Sequence, residues 1–445
     1  MRKFIALLPL LVFLAFHAIG QNQADILKVD TVTYALWQKG DWKNLIKVGK
    51  QALNSSIDFY YLRVRMGIAY YETKNYHAAI YHLEKAYQIS QQESYLKEYL
   101  YYSYLFAGRS MESRIIYSTA DSLLKKRIGY KKKNFIDEIS LEYGHRIVVD
   151  DKAIENFPTD YTAPNDGFQE ITRSLNTFNI GLRHNVFRKF SLNHAYTNIQ
   201  KESFKHLLVN GTIEEIDNSK TSINQYYLSG NSRVGKSLNL LYGIHFLNIR
   251  YPVEIPYFSQ GNIFTTTETI SQTDLVGFMS FYKDLKYFTL GASGSFANLN
   301  SAVQAQGDLS LALYPLGNLN LYAVSTASFQ RELYSNRKYN DELIFNQLIG
   351  LKTLNFLWFE GHITFGNLSN FVTNDGASVF NGIGIIKQNF GGRAIVLINP
   401  KLNFKISYTY SQIESSFIES LNVDKKHNPI EYNNHSITGG LVWNL

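Results

Sequence analysis

One segment matches, letter for letter, a pattern that binds nucleotide phosphates. The run from Gly230 to Ser237 reads GNSRVGKS and satisfies G-x-x-x-x-G-K-S. In that chemistry the glycines form a backbone cradle, the lysine reaches the β- and γ-phosphates and the serine binds Mg²⁺. The site also needs a helix to follow it, because the helix N-terminus faces the phosphate. Residues 238–246 instead alternate apolar and polar side chains, so we predict a hairpin turn at Gly235-Lys236 and no nucleotide site.

Catalytic motifs with a defined spacing are missing from the sequence. It contains no G-x-S-x-G, no H-E-x-x-H and no histidine pair at metal-ligand spacing. Its lack of cysteine excludes disulfides, thiolate zinc sites, iron–sulfur clusters and thiol nucleophiles. We therefore predict that the protein is not an enzyme and needs no metal or cofactor.

Five polar residues lie on segments whose alternation predicts that they point into the interior of a barrel. They are Arg183, His245, Glu360, His362 and Lys405. A hydrogen-bond network inside the barrel is the plain interpretation of the two histidines and the glutamate, and a catalytic or gating cluster is the alternative. The two cations would bias a pore toward anions, or else they are held in salt bridges.

The strand pattern itself runs from residue 137 to residue 445. Phe404 to Ser411 alternates strictly, and Leu238 to Phe246 and Leu357 to Phe365 nearly so. Alternation of this kind describes a strand with one apolar and one polar face. The polar face is mostly Ser, Thr, Asn, Gly and Tyr, whereas the surface of a soluble sandwich would carry Lys and Glu.

The connections between these segments are unequal in length. Short turns alternate with long polar stretches, which we place at residues 150–170, 200–220, 254–268, 330–342 and 414–429. Short turns on one side and long loops on the other are typical of an outer-membrane β-barrel. We predict fourteen antiparallel strands, with twelve or sixteen left open because residues 378–400 are less regular.

The last residues carry a further signal. Thr438, Gly440, Trp443 and Leu445 resemble the C-terminal pattern that the barrel-assembly machinery recognises. The resemblance implies assembly by strand addition at an open edge.

A helical repeat precedes the barrel, at residues 24–128. Small and aromatic residues recur there at intervals of 34 residues, as in tetratricopeptide repeats, whose helices cross closely at small side chains. The predicted packing residues are Ala52, Gly67, Tyr70, Ala79, Ala86 and Ala120. Three such repeats would form a periplasmic docking groove or a structural spacer.

The N-terminal residues read as an address. Residues 1–20 combine a basic start, an apolar stretch and a small-residue end, which predicts a secretory signal peptide. No apolar run long enough for a transmembrane helix follows. The net charge of +7 is spread along the chain and does not indicate nucleic-acid binding. A basic linker at residues 129–136 would be solvated or would contact anionic lipid headgroups.

Together these features resemble a class of outer-membrane proteins of Gram-negative bacteria in which periplasmic tetratricopeptide repeats are fused to an export barrel. The exopolysaccharide exporters and the YaiO-like barrel proteins are the families named by this resemblance. It implies that the repeats bind a periplasmic protein or polymer and that the barrel, at residues 137–445, passes a polymer such as polysaccharide outward.

Three functions follow from the sequence as hypotheses. The first is a transport or export barrel with an open lumen and a periplasmic docking module. The second is a closed barrel that anchors the repeats and loops as interaction surfaces, with its lumen filled by side chains or by residues 150–170. The third is a barrel hydrolase, which requires Ser or Asp within hydrogen-bond reach of His245 or His362.

Overall fold

The protein is described by a computed structural model that covers most of the chain. The described residues are 25–129, 135–148, 152–155, 157–158, 161, 165–259, 262–300, 302–334, 339–420 and 422–445. The predicted signal peptide and most of the predicted basic linker lie outside them. The chain forms two compact units: the first takes residues up to Lys131 with Leu285–Tyr287 and Tyr314–Leu319, and the second takes the remainder.

Helices make up the first unit. Seven are described there: α1 at 25–38, α2 Trp42–Asn54, α3 Tyr60–Glu72, α4 Tyr76–Ile89, α5 Ser94–Phe106, α6 Ser110–Ser118 and α7 Ser122–Ile128. Short polar turns fix where several of them begin. The side chains of Asp41, Asn75 and Asp121 each accept a hydrogen bond from a backbone N–H in the first helical turn, which is how an N-cap residue starts a helix.

Close approach of neighbouring helices defines the core of this unit. The six predicted packing residues are all buried: Ala52, Gly67, Tyr70, Ala79, Ala86 and Ala120. A Cβ atom added at Gly67 would lie 2.5 Å from the side chain of Leu83, which is fully buried on α4. The small residue is therefore required by the packing of α3 against α4.

Substitution of Gly67 by alanine should destabilise the helical unit. Overpacking against Leu83 costs about 1–3 kcal/mol, whereas the better helix propensity of alanine returns about 1 kcal/mol. We expect a net loss of about 1–2 kcal/mol, measured as denaturant unfolding of the helical circular dichroism signal in the full chain. Lys85→Ala, at an exposed position of α4, is the matched control, and equal stability of the two variants would contradict the steric argument.

A buried histidine couples the first unit to pH. His82 lies between the ring of Tyr70, stacked at 5.3 Å, and Arg63, whose Nη1 is 3.1 Å from His82 Nδ1. Arg63 also pairs with Asp58 at 2.6 Å. Burial, and secondly the charge of Arg63, lowers the pKa of His82 from 6.5 to about 3. The neutral imidazole is therefore the form that the fold requires.

The stability of the helical unit should fall as the solution is acidified. The unfolded histidine binds a proton below pH 6.5 and the folded one does not, so its contribution is complete above that pH and is lost as pH decreases. The slope from this group approaches about 1.4 kcal/mol per pH unit. His82→Gln should reduce the slope of unfolding free energy against pH by that amount between pH 6 and 4, roughly. An unchanged slope would show that His82 does not control it.

The second unit is a closed antiparallel barrel of fourteen strands. They are β1 Ile136–Val148, β2 Gly167–Phe187, β3 Phe190–Val209, β4 Thr212–Gly235, β5 Leu238–Ser259, β6 Asn262–Asp284, β7 Phe288–Leu299, β8 Ala302–Leu313, β9 Leu321–Leu333, β10 Tyr339–Leu354, β11 Leu357–Leu368, β14 Ile385–Asn399, β15 Leu402–Glu419 and β16 Asn422–Asn444; a short helix, α8 Lys152–Glu155, follows β1, and β12 Phe371–Thr373 and β13 Ser378–Phe380 lie outside the wall. Pairing of β1 with β16 closes the sheet. The predicted fold class and the count of fourteen are confirmed.

Side chains alternate between the two faces of the wall as predicted. On β5, Ile244 and Phe246 are 47% and 42% exposed, whereas His245 between them is 1% exposed and points inward. Apolar side chains are exposed on the outward face of many strands. None of the helices among the described residues is long and apolar enough to cross a bilayer.

Strand length differs from the sequence-based expectation. The predicted loop at 200–220 is wrong: β3 and β4 continue through it and meet at a two-residue turn, Asn210-Gly211, where φ is +48° and +77°. Asn-Gly is the favoured pair for such a turn because both residues tolerate positive φ. The predicted loops at 254–268, 330–342 and 414–429 are also mostly strand. We call the end where β1 begins and β16 ends the terminal end, and the other the distal end.

Candidate functional site

A short hairpin leaves the barrel wall between β11 and β14. Strands β12 and β13 pair only with each other and form a separate two-stranded sheet. We call residues 369–384 the lumen hairpin. The sequence-based assignment of one strand to 377–392 is wrong, because the wall resumes only at Ile385.

Three consecutive residues form the tip of this hairpin. Asn374, Asp375 and Gly376 have φ of +53°, +52° and +75°. Asparagine, aspartate and glycine are the residues that adopt this left-handed conformation most readily. A Cβ atom at Gly376 would also lie 2.3 Å from the ring of Phe278. The Asn-Asp-Gly run is a turn signal that sequence reasoning overlooked.

The tip crosses the interior of the barrel. Although the lumen hairpin joins β11 to β14, its tip contacts β4, β5 and β6, which lie on a distant part of the wall. Tyr227 donates from its hydroxyl to the carbonyl of Asp375 at 3.1 Å, and His245 Nδ1 donates to the carbonyl of Gly376 at 2.8 Å. Ser280 and Tyr282 donate to Asp375 Oδ1 at 2.7 and 2.5 Å. A segment with these partners must lie inside the lumen.

Polar side chains of β8 and β9 hold the base of the lumen hairpin. Gln306 donates from Nε2 to the Val372 carbonyl at 2.7 Å and accepts from the Val372 N–H at 3.1 Å. This single side chain therefore replaces a strand partner for that residue. Asn370 donates to Glu332 Oε1 at 2.7 Å, and Gln330 donates to the carbonyl of Ser369 at 2.8 Å.

Apolar contacts fill the lumen near the distal end. Phe371 belongs to a buried cluster with Ile344 of the wall and with Phe157, which comes from the connection between β1 and β2. Val372 joins a second buried cluster with Leu247. Two connections of the chain thus turn inward and occlude the barrel together.

The five residues predicted to face the lumen have the following contacts. His245 belongs to the hairpin contacts described above, and His362 Nε2 lies 3.2 Å from Asn389 Oδ1. Glu360 accepts from Tyr322 at 2.5 Å and from Arg393 at 3.3 Å. Arg183 pairs with Asp137 and Glu138, each at 3.0 Å. Lys405 is half-buried and lies opposite Gly440. The structure thus joins only His245 to the lumen hairpin.

Two other arrangements considered from the sequence are resolved by geometry. Neither His245 nor His362 has a serine or aspartate as its hydrogen-bond partner among the described residues, so the pair required by the hydrolase hypothesis is not formed there. Gly235 ends β4 and Leu238 begins β5. The predicted hairpin turn is confirmed, and a strand follows the phosphate-loop pattern where a nucleotide site needs a helix.

The C-terminal residues close the barrel. On β16, Thr438 and Gly440 lie opposite Gly144 and Glu142 of β1, while Trp443 is exposed. The Leu445 N–H donates to the carbonyl of Asp137 at 3.0 Å. The predicted role of these residues in assembly stays a prediction.

The fold defines a class, a closed fourteen-stranded β-barrel preceded by a helical region, and comparison with known proteins does not narrow it. No protein-family model and no curated protein matches the chain. Among solved structures, the chain is similar to a FadL homologue of Pseudomonas aeruginosa, with 8% identity and a TM-score of 0.43 over 69% of this chain and 90% of that one. It is similar to the toluene transporter TodX of Pseudomonas putida, with 8% identity and a TM-score of 0.43 over 69% and 90%.

A third solved structure shows the same kind of likeness. The translocator domain of the autotransporter NalP from Neisseria meningitidis is 10% identical, with a TM-score of 0.31 over 77% of this chain and 99% of that one. Scores this low carry no argument about function. The resemblance to YaiO-like barrels and exopolysaccharide exporters stays a prediction.

Removal of the Tyr282 hydroxyl should loosen the lumen hairpin. A hydrogen bond to a charged group contributes about 1.5–3 kcal/mol, so Tyr282→Phe should raise local opening about tenfold or more. Amide hydrogen exchange of residues 371–380 measures this. Tyr226→Phe is the control, because its hydroxyl contacts His194 on the exposed face. Equal exchange in the two variants would remove Tyr282 from the hairpin contacts.

Proposed function

We propose that this protein is an outer-membrane barrel that passes solute through a lumen gated by the lumen hairpin. Apolar side chains exposed on the outward face support placement in a bilayer, because a transmembrane barrel presents such a band to lipid. Closure of the sheet supports it as well, since every wall strand has two partners and no open edge remains.

The observation that carries the gating proposal is the independence of the lumen hairpin from the wall. Leu368 of β11 pairs with Ile386 of β14, so the wall is continuous across the point where the hairpin departs. Side-chain hydrogen bonds hold the hairpin in place, and each contributes only about 1 kcal/mol net because water can replace the partner. Displacement would therefore leave the wall intact.

Export of a polymer such as polysaccharide, which the sequence resemblance implies, would require this displacement. In that proposal the helical repeats lie in the periplasm and gather a protein or polymer partner, and the barrel-assembly machinery reads the C-terminal strand. The distal apolar cluster would have to open before any chain could pass.

A closed barrel that anchors interaction surfaces is the second candidate. The observation in its favour is the distal cluster, in which Phe157 and Phe371 pack with wall residues inside the lumen. Apolar burial of this kind opposes opening by about 25 cal/mol per Å² of surface. In this alternative the lumen hairpin is a permanent filler.

Excision of the lumen hairpin separates the two candidates. Residues 370–383 would be replaced by a Gly-Ser linker of about four residues, which is a normal hairpin length. We expect sustained ion conductance in planar bilayers, well above that of the unaltered chain. Arg331→Gln, which breaks an exposed ion pair with Asp341, is the control and should conduct like the unaltered chain. A silent excision variant that still folds as a barrel would support the anchor.

A further inference from the structure

The wall formed by β1, β2 and β16 encloses a polar cavity inside the barrel. Its volume is about 230 Å³, which corresponds to roughly eight water molecules at about 30 Å³ each. The side chains that matter for its chemistry are Glu142, Arg146, Thr177, Asn179, Ser436 and Thr438. Hydroxyl and amide groups thus surround one cation and one anion.

Two buried side chains at this cavity lack hydrogen-bond partners among the described protein atoms. They are Arg146, at Nε, and Asn434, at both Oδ1 and Nδ2, and Asn434 is 1% exposed. Arg146 lies opposite Ser436, and Asn434 lies opposite Val148. The two are therefore diagonal neighbours on adjacent strands, about 7–8 Å apart at their backbones. Their unused donors lie side by side.

The ion pairs of other lumen arginines make Arg146 distinct. Arg183 pairs with Asp137, and Arg393 pairs with Glu360. No ion pair joins Arg146 to a carboxylate within the described part of the chain. A buried charge without a partner is costly, so a fold that retains one gains from a ligand that neutralises it.

Two glycines keep this cavity open. A Cβ atom at Gly144 would lie 2.8 Å from Thr438 Oγ1, and one at Gly440 would lie 2.7 Å from Glu142 Cγ. Larger residues at these positions would push both lining side chains aside. Gly440, singled out in the sequence as part of an assembly signal, thus has a second physical role.

We propose that Arg146 and Asn434 bind the oxyanion of a small solute, a carboxylate or a phosphate. The guanidinium offers N–H donors in a planar fork that matches two oxygens, and the Asn434 amide adds a donor beside it. Glu142 lies four residues along the same face of β1, about 13 Å away at the backbone, and would repel a second negative charge. The site therefore fits a solute with one anionic end.

Use of this site during transport rests on the proposed function, whereas binding itself does not. Calorimetry on the full chain in detergent would use inorganic phosphate and lactate as probes, with sodium chloride as the reference salt. We expect dissociation constants of about 1–10 mM. Arg146→Gln and Asn434→Leu should each weaken binding at least about tenfold.

The control variant is Lys352→Gln. Lys352 is a cation of β10 stacked on Trp358 at 4.5 Å, five strands from β1 in the order of the wall, and its loss should leave binding unchanged. Arg146→Lys, which keeps the charge, should bind between the unaltered chain and Arg146→Gln. It also replaces Arg146→Gln if that variant does not fold, as judged by heat-dependent mobility in gels.

Two results would overturn the proposal: no binding of either anion up to about 100 mM, or equal affinity in the unaltered chain and in the Arg146 and Asn434 variants. Anion binding combined with a silent excision variant would retain the site and refute the gated channel. Conductance without anion binding would do the reverse.

Discussion

A closed sheet of fourteen strands encloses more space than the side chains of its own wall can fill. Eight strands bring the inward side chains into contact, whereas sixteen or more leave an aqueous channel. Fourteen lies between these cases, so the interior must hold either water or additional chain. In this protein two connections at the distal end supply additional chain, and the arrangement of the lumen follows from where they reach.

Backbone hydrogen bonding determines how a connection can enter such a space. Buried N–H and C=O groups need partners, and a two-stranded hairpin satisfies only part of its own. The wall provides the others with side chains: Gln306 serves both groups of Val372, and Tyr227 and His245 serve carbonyls at the tip. The long polar residues of β4 to β9 are thus explained by the segment that they hold.

Parity along the strands was readable from the sequence, and contacts across the lumen were not. Strict alternation predicted the barrel and the inward direction of His245, because a strand has only two faces. The partner of His245 is 131 residues away in the chain, and no local pattern encodes that distance. The Asn-Asp-Gly tip was a local signal, but the alternation after it extended one predicted strand over both β13 and β14.

The distal strand ends were misread for a related reason. Residues such as Lys205 and Glu254 resemble loop composition, yet they pair at 2.8 Å while buried on extended strands. Charged side chains that face one another across a lumen satisfy each other there, so polarity does not require a loop. Composition distinguishes strand from loop only where the strand faces a core or lipid.

The two kinds of contact on the lumen hairpin argue for a segment that can move. A permanent filler gains most from apolar surface, since burial is favourable without regard to geometry. Phe371 and Val372 provide such surface at the base, but the tip is bound through carbonyls, a carboxylate and hydroxyls. Those groups lose little when water replaces their partners. The tip is therefore the part that a hydrated lumen would release first, with the apolar base serving as its hinge.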